Sequence, residues 1–449
     1  MIVSKFGGSS LADAGQIKKV FNIIAAEEKR KVVVVSAPGK RDKSDEKVTD
    51  LLIKCAQTQL SGENVSSYLD MLLNRYSTII TELGLGNEII SIIEFDLRNR
   101  LDSATSLRSD EFIDLMKAAG EDNCAKLVAE YFNISGLPAV YINPKDAGFY
   151  LSDDFGNAQV LTETYDNLKK LESVPGVIIF PGFFGYTKSG KVITFSRGGS
   201  DITGSILAAA LDAELYENFT DVNNVYSVDP GLVKDPMPID EITYREMREL
   251  SYAGFKVYHE DALVPVFSKN IPVQIRNTNN PAAKGTAILP TRKLSENPVV
   301  GISAASGFMS INISKLLMNI EIGFGRKVLE IIEDERISFE HMPSGIDNIS
   351  IILNEACTPP DVENRIVHRI KTELNTDEMS VRHDLAIVML VGEGMLNTVG
   401  TAARASSALA RANINIEILN QGASEVSLMF GVDAKDAAGA VKSLYYEFF

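Results

Sequence analysis

The chain has 449 residues, 45% of them hydrophobic and 23% charged; that length exceeds what one core normally serves, and that composition excludes a disordered or membrane-embedded chain. Sixty Asp and Glu against 44 Lys and Arg leave a net charge of −16, which excludes nucleic acid as a partner held by diffuse attraction. Cys55, Cys124 and Cys357 lack CxxC spacing, and His259, His341, His368 and His383 show no ligand spacing, so neither disulfides nor a resident metal is expected and any metal should arrive with a ligand.

The first predicted strand, IVSKF, runs straight into Lys5-Phe6-Gly7-Gly8-Ser9-Ser10, and a helical stretch begins near Asp13. Glycines between strand and helix let backbone N–H groups approach a phosphate, and Lys5 adds a full positive charge. A second strand, KVVVVSAPG, follows. Residues 65–101 carry apolar residues at helical spacing with almost no strand signal, so we read them as a helical insertion. Further β-rich runs come as PAVYI, GVIIFPGF, KVITF and AELYENFTD. Strands alternating with helices predict an α/β domain with a largely parallel sheet over residues 1–290. The segment GYTKSGK, Gly185 to Lys191, nearly matches a P-loop, but Val192 stands where Ser or Thr must reach magnesium, so it reads as a hairpin turn.

Residues 291–298 read as a linker, and beyond them the chain repeats itself. Ile337-Ser338-Phe339-Glu340 aligns with Ile414-Asn415-Ile416-Glu417, Gly345 with Gly422, and Ile349-Ser350-Ile351 with Val426-Ser427-Leu428, always 77 residues apart. Each repeat reads as a βαββα unit of ferredoxin-like type. The first covers 307–383; the second covers 384–449 and borrows its missing strand from 299–306, which makes the first an insertion in the second. No apolar run reaches membrane-spanning length and MIVSKFGGSS has no leader pattern, so the expected setting is a reducing cytoplasm.

Taken in order, KFGGSS, VVVVSAPGK with Ser36, Val48-Thr49-Asp50, Gly120-Glu121, Arg197-Gly198-Gly199-Ser200-Asp201, Thr220-Asp221-Val222-Asn223-Asn224-Val225-Tyr226 and Gly254-Phe255-Lys256-Val257 resemble the aspartokinases along nearly the whole chain. The tandem units behind them resemble ACT domains, which bind amino acids at the interfaces they form. The resemblance implies an amino-acid-kinase fold and transfer of the γ-phosphoryl group of ATP to the β-carboxylate of L-aspartate, with Mg²⁺ entering on the nucleotide.

Chemistry fits these residues independently. A side-chain carboxylate of pKa ~3.9 is ionised at neutral pH and needs no general base. The obstacle is an anion approaching an anion, so cations and N–H donors should do the catalysis. Lys5, Gly7 and Gly8 meet that need, and Arg197 can grip a substrate carboxylate with its fork of donors. The resemblance adds Glu121 and Asp201 toward the substrate ammonium, and Ser36, Thr49 and Ser200 toward its polar groups. It also places Ser9, Thr220, Asp221 and Tyr226 along the nucleotide and brings Lys256 to its phosphates, with Lys5, Asp201 and Lys256 as the catalytic set. A glutamate 5-kinase, an N-acetylglutamate kinase and a catalytically silent sensor stay open as alternatives; the tandem repeat and the phosphate lysines weigh against them.

For an effector, the loop Met318 to Gly325 exposes N–H groups at a helix start, Gly323, Phe324 and Gly325, where an α-carboxylate would dock. Glu340 suits a lysine side-chain ammonium, with Ser338 and Met318 near it by resemblance. Lysine is the expected inhibitor and threonine its rival, bound in a homodimer or dimer of dimers formed through the ACT domains.

Overall fold

The computed structural model describes residues 1–196, 198–255, 258, 260–294, 296–396, 398–422 and 424–449. Its strands are β1 Ile2–Phe6, β2 Arg30–Val35, β3 Ala139–Tyr141, β4 Val177–Pro181, β5 Phe184–Tyr186, β6 Val192–Thr194, β7 Leu215–Thr220, β8 Val225–Tyr226, β9 Pro238–Ile239, β10 Glu241–Thr243, β11 Val273–Asn277, β12 Thr286–Leu289, β13 Gly301–Ser314, β14 Phe339–His341, β15 Asn348–Asn354, β16 Glu378–Val391, β17 Ile418–Gln421 and β18 Ser427–Asp433. Its helices are α1 Ala14–Ala25, α2 Val48–Leu60, α3 Ser66–Leu83, α4 Asn87–Asp102, α5 Ser109–Ile134, α6 Pro144–Ala147, α7 Glu163–Leu168, α8 Gly199–Ala210, α9 Tyr244–Tyr252, α10 Leu263–Ser268, α11 Phe324–Asp334, α12 Pro360–Leu374, α13 Thr401–Arg411 and α14 Ala437–Phe448.

Two compact units form: Met1–Val225 with Pro238–Arg248 and Lys256–Arg292, and Tyr226–Met237 with Glu249–Phe255 and Lys293–Phe449. In the first, an eight-stranded sheet runs β10-β12-β11-β7-β1-β2-β4-β3, parallel at every pairing except β11 with β12. Its interior strands β1 and β4 are buried along their whole length, as a sheet covered on both faces requires. The insertion read at 65–101 folds as α3 and α4, whose Leu72, Tyr76, Ile79, Ile93 and Leu97 join the core beside α1, α2 and α5.

One strand lies elsewhere than its sequence suggests. KVITF does not enter the parallel sheet: β6 pairs antiparallel with β5 as a separate hairpin. The connection between them spans only Thr187 to Lys191, with Gly190 at φ 87°, far too short for a parallel crossover.

In the second unit one six-stranded antiparallel sheet runs β14-β15-β13-β16-β18-β17. Four short strands expected from the repeats are two long ones: β13 and β16, 14 residues each, pair from Gly301 opposite Val391 to Ser314 opposite Glu378. Register shifts flank Phe308, beside Gly307 at φ 95°, so the strand bends without ending. Two hydrophobic cores lie along this sheet: one of α11 and α12 with Ile311, Ile351 and Leu353, the other of α13 and α14 with Val388, Leu428 and Phe430. Among the described residues no helix is long and apolar enough to cross a membrane.

Candidate active site

A cleft of 680 Å³ opens in the first unit, where Lys5, Ser36, Thr49, Glu121, Ser200 and Asp201 meet, joined by Lys47, Asp50, Lys117 and Phe183. It lies at the carboxyl ends of β1 and β2, the usual ligand position in open α/β sheets. Six of the residues expected from sequence therefore share one cavity, although they come from positions 5 to 201 of the chain.

Glycine makes the close approaches here. The Gly7 N–H donates to the carbonyl of Phe219 at 3.1 Å and the Gly39 N–H to that of Gly8 at 2.9 Å. A Cβ on Gly39 would stand 2.5 Å from the Gly8 carbonyl carbon, so two backbones touch where a side chain cannot fit. Ser9 lies in a single 3₁₀ turn, Gly8–Leu11, and the long helix beyond it is capped by Asp13, whose carboxylate accepts from the Gln16 N–H at 2.9 Å. One N–H of the expected helix end behind the glycine loop is thus taken by its own cap. The end that opens on the cleft is that of α8: its N-cap is Gly198 at φ 60°, and Gly199, Ser200 and Asp201 line the cavity. A Cβ on Gly182 would come within 2.6 Å of that of Ser200, so this helix start also depends on a glycine neighbour.

Charges are arranged in pairs around this opening. Lys5 Nζ lies 2.5 Å from Asp201 Oδ1, and both side chains are nearly buried. Asn218 donates to the same Oδ1 at 2.8 Å and accepts from Lys5 at 3.4 Å. Across the cleft, burial pushes the Glu121 carboxyl up to about 8 against the N–H groups of Ala37 and Glu121 that hold it down. Its Oε2 is buried with no partner among the described residues. Asn218 and Lys117 escaped the sequence reading. Asn218 is one polar residue in a buried strand; Lys117 stands four residues before Glu121, the helical spacing that puts both on one face of α5.

Thr220 and Asp221 sit where β7 ends, outside the residues lining the cleft. Thr220 Oγ1 donates to Asp221 at 3.2 Å, and the loop is held by the Thr278 N–H to the Thr220 carbonyl and by Asn277 to the carbonyl of Asp221. Tyr226 is half-buried and counts with the second unit. Arg197 and Lys256 lie outside the described residues. No group of three or more His, Cys, Asp or Glu among the described residues could hold a metal ion.

In the second unit Gly323, at φ 80°, caps α11, Phe324 is buried at its first position and Gly325 follows it. Met318 is buried in a short 3₁₀ turn before them. Glu321 of this loop is neutralised by Lys315 at 2.6 Å and Lys327 at 3.0 Å. The loop follows Ser314, opposite Asn348, whereas Ser338 precedes Phe339, opposite Leu353 at the other end of β15; within one chain these residues do not converge. Ser338 borders a groove of 430 Å³ with Ile337 and Phe339. Glu340 accepts a hydrogen bond from the Tyr252 hydroxyl, and the His341 ring stands edge-on to Tyr252 at 6.0 Å. Burial lowers the His341 pKa despite the neighbouring Glu340 and Glu249.

Comparison with known proteins agrees along the whole chain. Residues 1–277 match the model of the amino acid kinase family and 388–448 that of an ACT domain. The chain is 54% identical to aspartokinase 3 of Bacillus subtilis over 449 residues, covering 100% of this chain and 99% of that one. Among solved structures it resembles the aspartate kinase of Clostridium acetobutylicum, at 36% identity and a TM-score of 0.85 over 100% of both chains. It also resembles Escherichia coli aspartokinase III at 25% identity, with a TM-score of 0.84 to the complex with aspartate and ADP (100% of both chains) and 0.75 to that with lysine and aspartate (100% and 99%).

Proposed function

The chain belongs to the amino acid kinase family and within it to the aspartokinases, and from that premise we propose how its own residues carry out the transfer of the γ-phosphoryl group from ATP to the β-carboxylate of L-aspartate. The observation that carries the reading is the buried, unpartnered Oε2 of Glu121 in the same cleft as Lys5 and the open end of α8. A buried carboxylate without a partner is costly, and the α-ammonium of an amino acid supplies the missing one.

In the mechanism we assign, Glu121 takes that ammonium while Ser36, Thr49, Ser200 and Arg197 hold the carboxylates. Lys5, the Gly7-Gly8 turn through the N–H of Gly8, and Lys256 hold the phosphates, with Ser9, Thr220, Asp221 and Tyr226 along the rest of the nucleotide. The β-carboxylate oxygen forms the new bond to Pγ as the bond from Pγ to the β,γ-bridging oxygen breaks, giving 4-phospho-L-aspartate and ADP; no proton moves. Asp201 and Asn218 fix the Lys5 ammonium, so its charge is already in place when charge shifts onto the leaving oxygen. Mg²⁺ entering on the nucleotide would further neutralise the phosphate oxygens, and Asp201, a carboxylate lining the cleft, would hold it.

The ACT units make this an allosteric enzyme whose inhibitor we assign as L-lysine, bound where Met318, the Gly323 to Gly325 segment, Ser338 and Glu340 are completed by a second subunit in a homodimer or dimer of dimers. Separation of the loop from Ser338 within one chain supports a shared site. As an ATP-dependent biosynthetic kinase it is placed in the cytoplasm. Incubation with Mg-ATP and aspartate in hydroxylamine tests the reading: the acyl phosphate is trapped as the hydroxamate. No hydroxamate from aspartate, or more from glutamate, overturns it.

A further inference from the structure

Two consecutive residues of the helical insertion contact segments that lead into the cleft-lining residues. Arg75, on α3 with its side chain 5% exposed, sends Nη1 to Asp45 at 2.5 Å and Nη2 to the carbonyl of Gly39. Tyr76, 1% exposed, donates from its hydroxyl to the carbonyl of Gly120 at 3.0 Å. Neither contact is generic packing. Gly39 is the residue whose backbone lies on Gly8 and whose N–H bonds the Gly8 carbonyl. Gly120 precedes Glu121, and a Cβ on it would stand 2.7 Å from that of Ala37 and 3.3 Å from Leu52, so it too sits at a close approach, here of helix backbone to side chains.

We propose that α3 is the clamp of the active site, and that Arg75 is a positioning residue which sets the glycine loop for the nucleotide through Gly39. This rests on reading Gly7 and Gly8 as the phosphate cradle. A guanidinium fork is suited to the task because one rigid plane spans a carbonyl and a carboxylate together. Asp45 is a dependable second anchor: hydrogen bonds from Arg41, and then Arg75, hold its carboxyl far below the usual range. The result is a relay of three contacts, Arg75 to Gly39, Gly39 to Gly8, and Val48 N–H to the Pro38 carbonyl at 3.2 Å, the last fixing the start of α2 just ahead of Thr49. Arg41 grips Asp45 from the exposed side and reaches no part of the glycine loop.

A cavity of 360 Å³ bordered by Arg41, Ser44, Asp45, Asn74 and Arg75 opens beside the guanidinium, so a small cation can enter if the side chain is removed. Arg75→Ala, Arg75→Lys and Arg41→Ala are compared with the parent enzyme by kinetics and by calorimetry with a non-hydrolysable ATP analogue. Displacement of reacting groups by about 1 Å costs on the order of 100-fold in rate; for Arg75→Ala we expect kcat down at least tenfold, nucleotide Kd up at least fivefold, and partial recovery of both in low-millimolar guanidinium but not ammonium chloride. Arg41→Ala stays within twofold of the parent in both. If Arg75→Ala does not fold, Arg75→Lys carries the test, with a weaker form of the same losses. Parental nucleotide affinity in a folded Arg75 variant, or a loss that guanidinium leaves untouched in folded Arg75→Ala, overturns the proposal. Because the analogue's affinity is independent of the acceptor, a failed aspartate assay strikes the functional reading and leaves this comparison decisive.

Discussion

Lys5 and Asp201 stand 2.5 Å apart across the mouth of the cleft, one leaving the first strand of the chain and the other opening α8. An ammonium held this way cannot swing to follow the phosphate, so its field is aimed in advance. Lys5→Ala should lower kcat by about 10²–10³ while changing the KM for aspartate far less, the pattern of a lost transition-state interaction. Steady-state kinetics at saturating Mg-ATP check it; near-normal turnover removes Lys5 from the mechanism.

Glu121 gives a pH signature. Its carboxyl is raised to about 8 in the empty cleft, and only its ionised form can receive an ammonium. Below that value aspartate binding must release a proton, so affinity should rise about tenfold per pH unit from 6 toward 8 and then level off. Titration calorimetry in buffers of different ionisation enthalpy reads both affinity and proton release. Glu121→Gln should bind weakly and lose the slope.

Arg197→Ala should abolish measurable aspartate binding while leaving ATP binding intact, because the proposed mechanism gives its guanidinium to the substrate carboxylates alone. Calorimetry with each ligand separately decides this, and unchanged aspartate affinity removes Arg197 from the substrate site.

On the proposed assignment of Glu340 to the lysine ammonium, Tyr252 competes with the effector. Its hydroxyl donates to Glu340, the carboxylate assigned to the lysine ammonium, so Tyr252→Phe should lower the lysine concentration for half-inhibition by about fivefold, the equivalent of one hydrogen bond of roughly 1 kcal/mol. Glu340→Ala should be insensitive to lysine. An activity titration in which Glu340→Ala stays fully inhibited refutes the site.

What could be read from sequence was local. A strand ending in Lys5-Phe6-Gly7-Gly8 declares itself within a few residues, and the periodicity of α3 and α4 marks them as helices. Arg75 was invisible for the opposite reason: its partner Gly39 is 36 residues earlier, and an arginine in an amphipathic helix reads as solvent-facing. Asn218 was hidden on a short buried strand, next to the equally buried Glu217. The helix behind the glycine loop is expected from sequence to face a phosphate, but Asp13 takes the Gln16 N–H of its first turn; a cap three residues before Gln16 is the available signal. The long β13 and β16 were divided because Gly307 and Asp384 look like strand ends, although both only take positive φ within the sheet or at its bend.

Those two strands also constrain how the regulatory half can be inherited. The pairing of β13 with β16 runs from Gly301 to Ser314, through the register shifts at Phe308, from one ACT unit into the other, so the two units cannot be parted without leaving raw strand edges, which attract pairing from other chains. A chimera that exchanges one unit for that of a relative would have to splice in the middle of a hydrogen-bonded ladder and match its register residue by residue. Lineages should therefore trade this sensor as one block, and laboratory efforts to change its effector should succeed by point substitution around the loops more readily than by swapping a single unit.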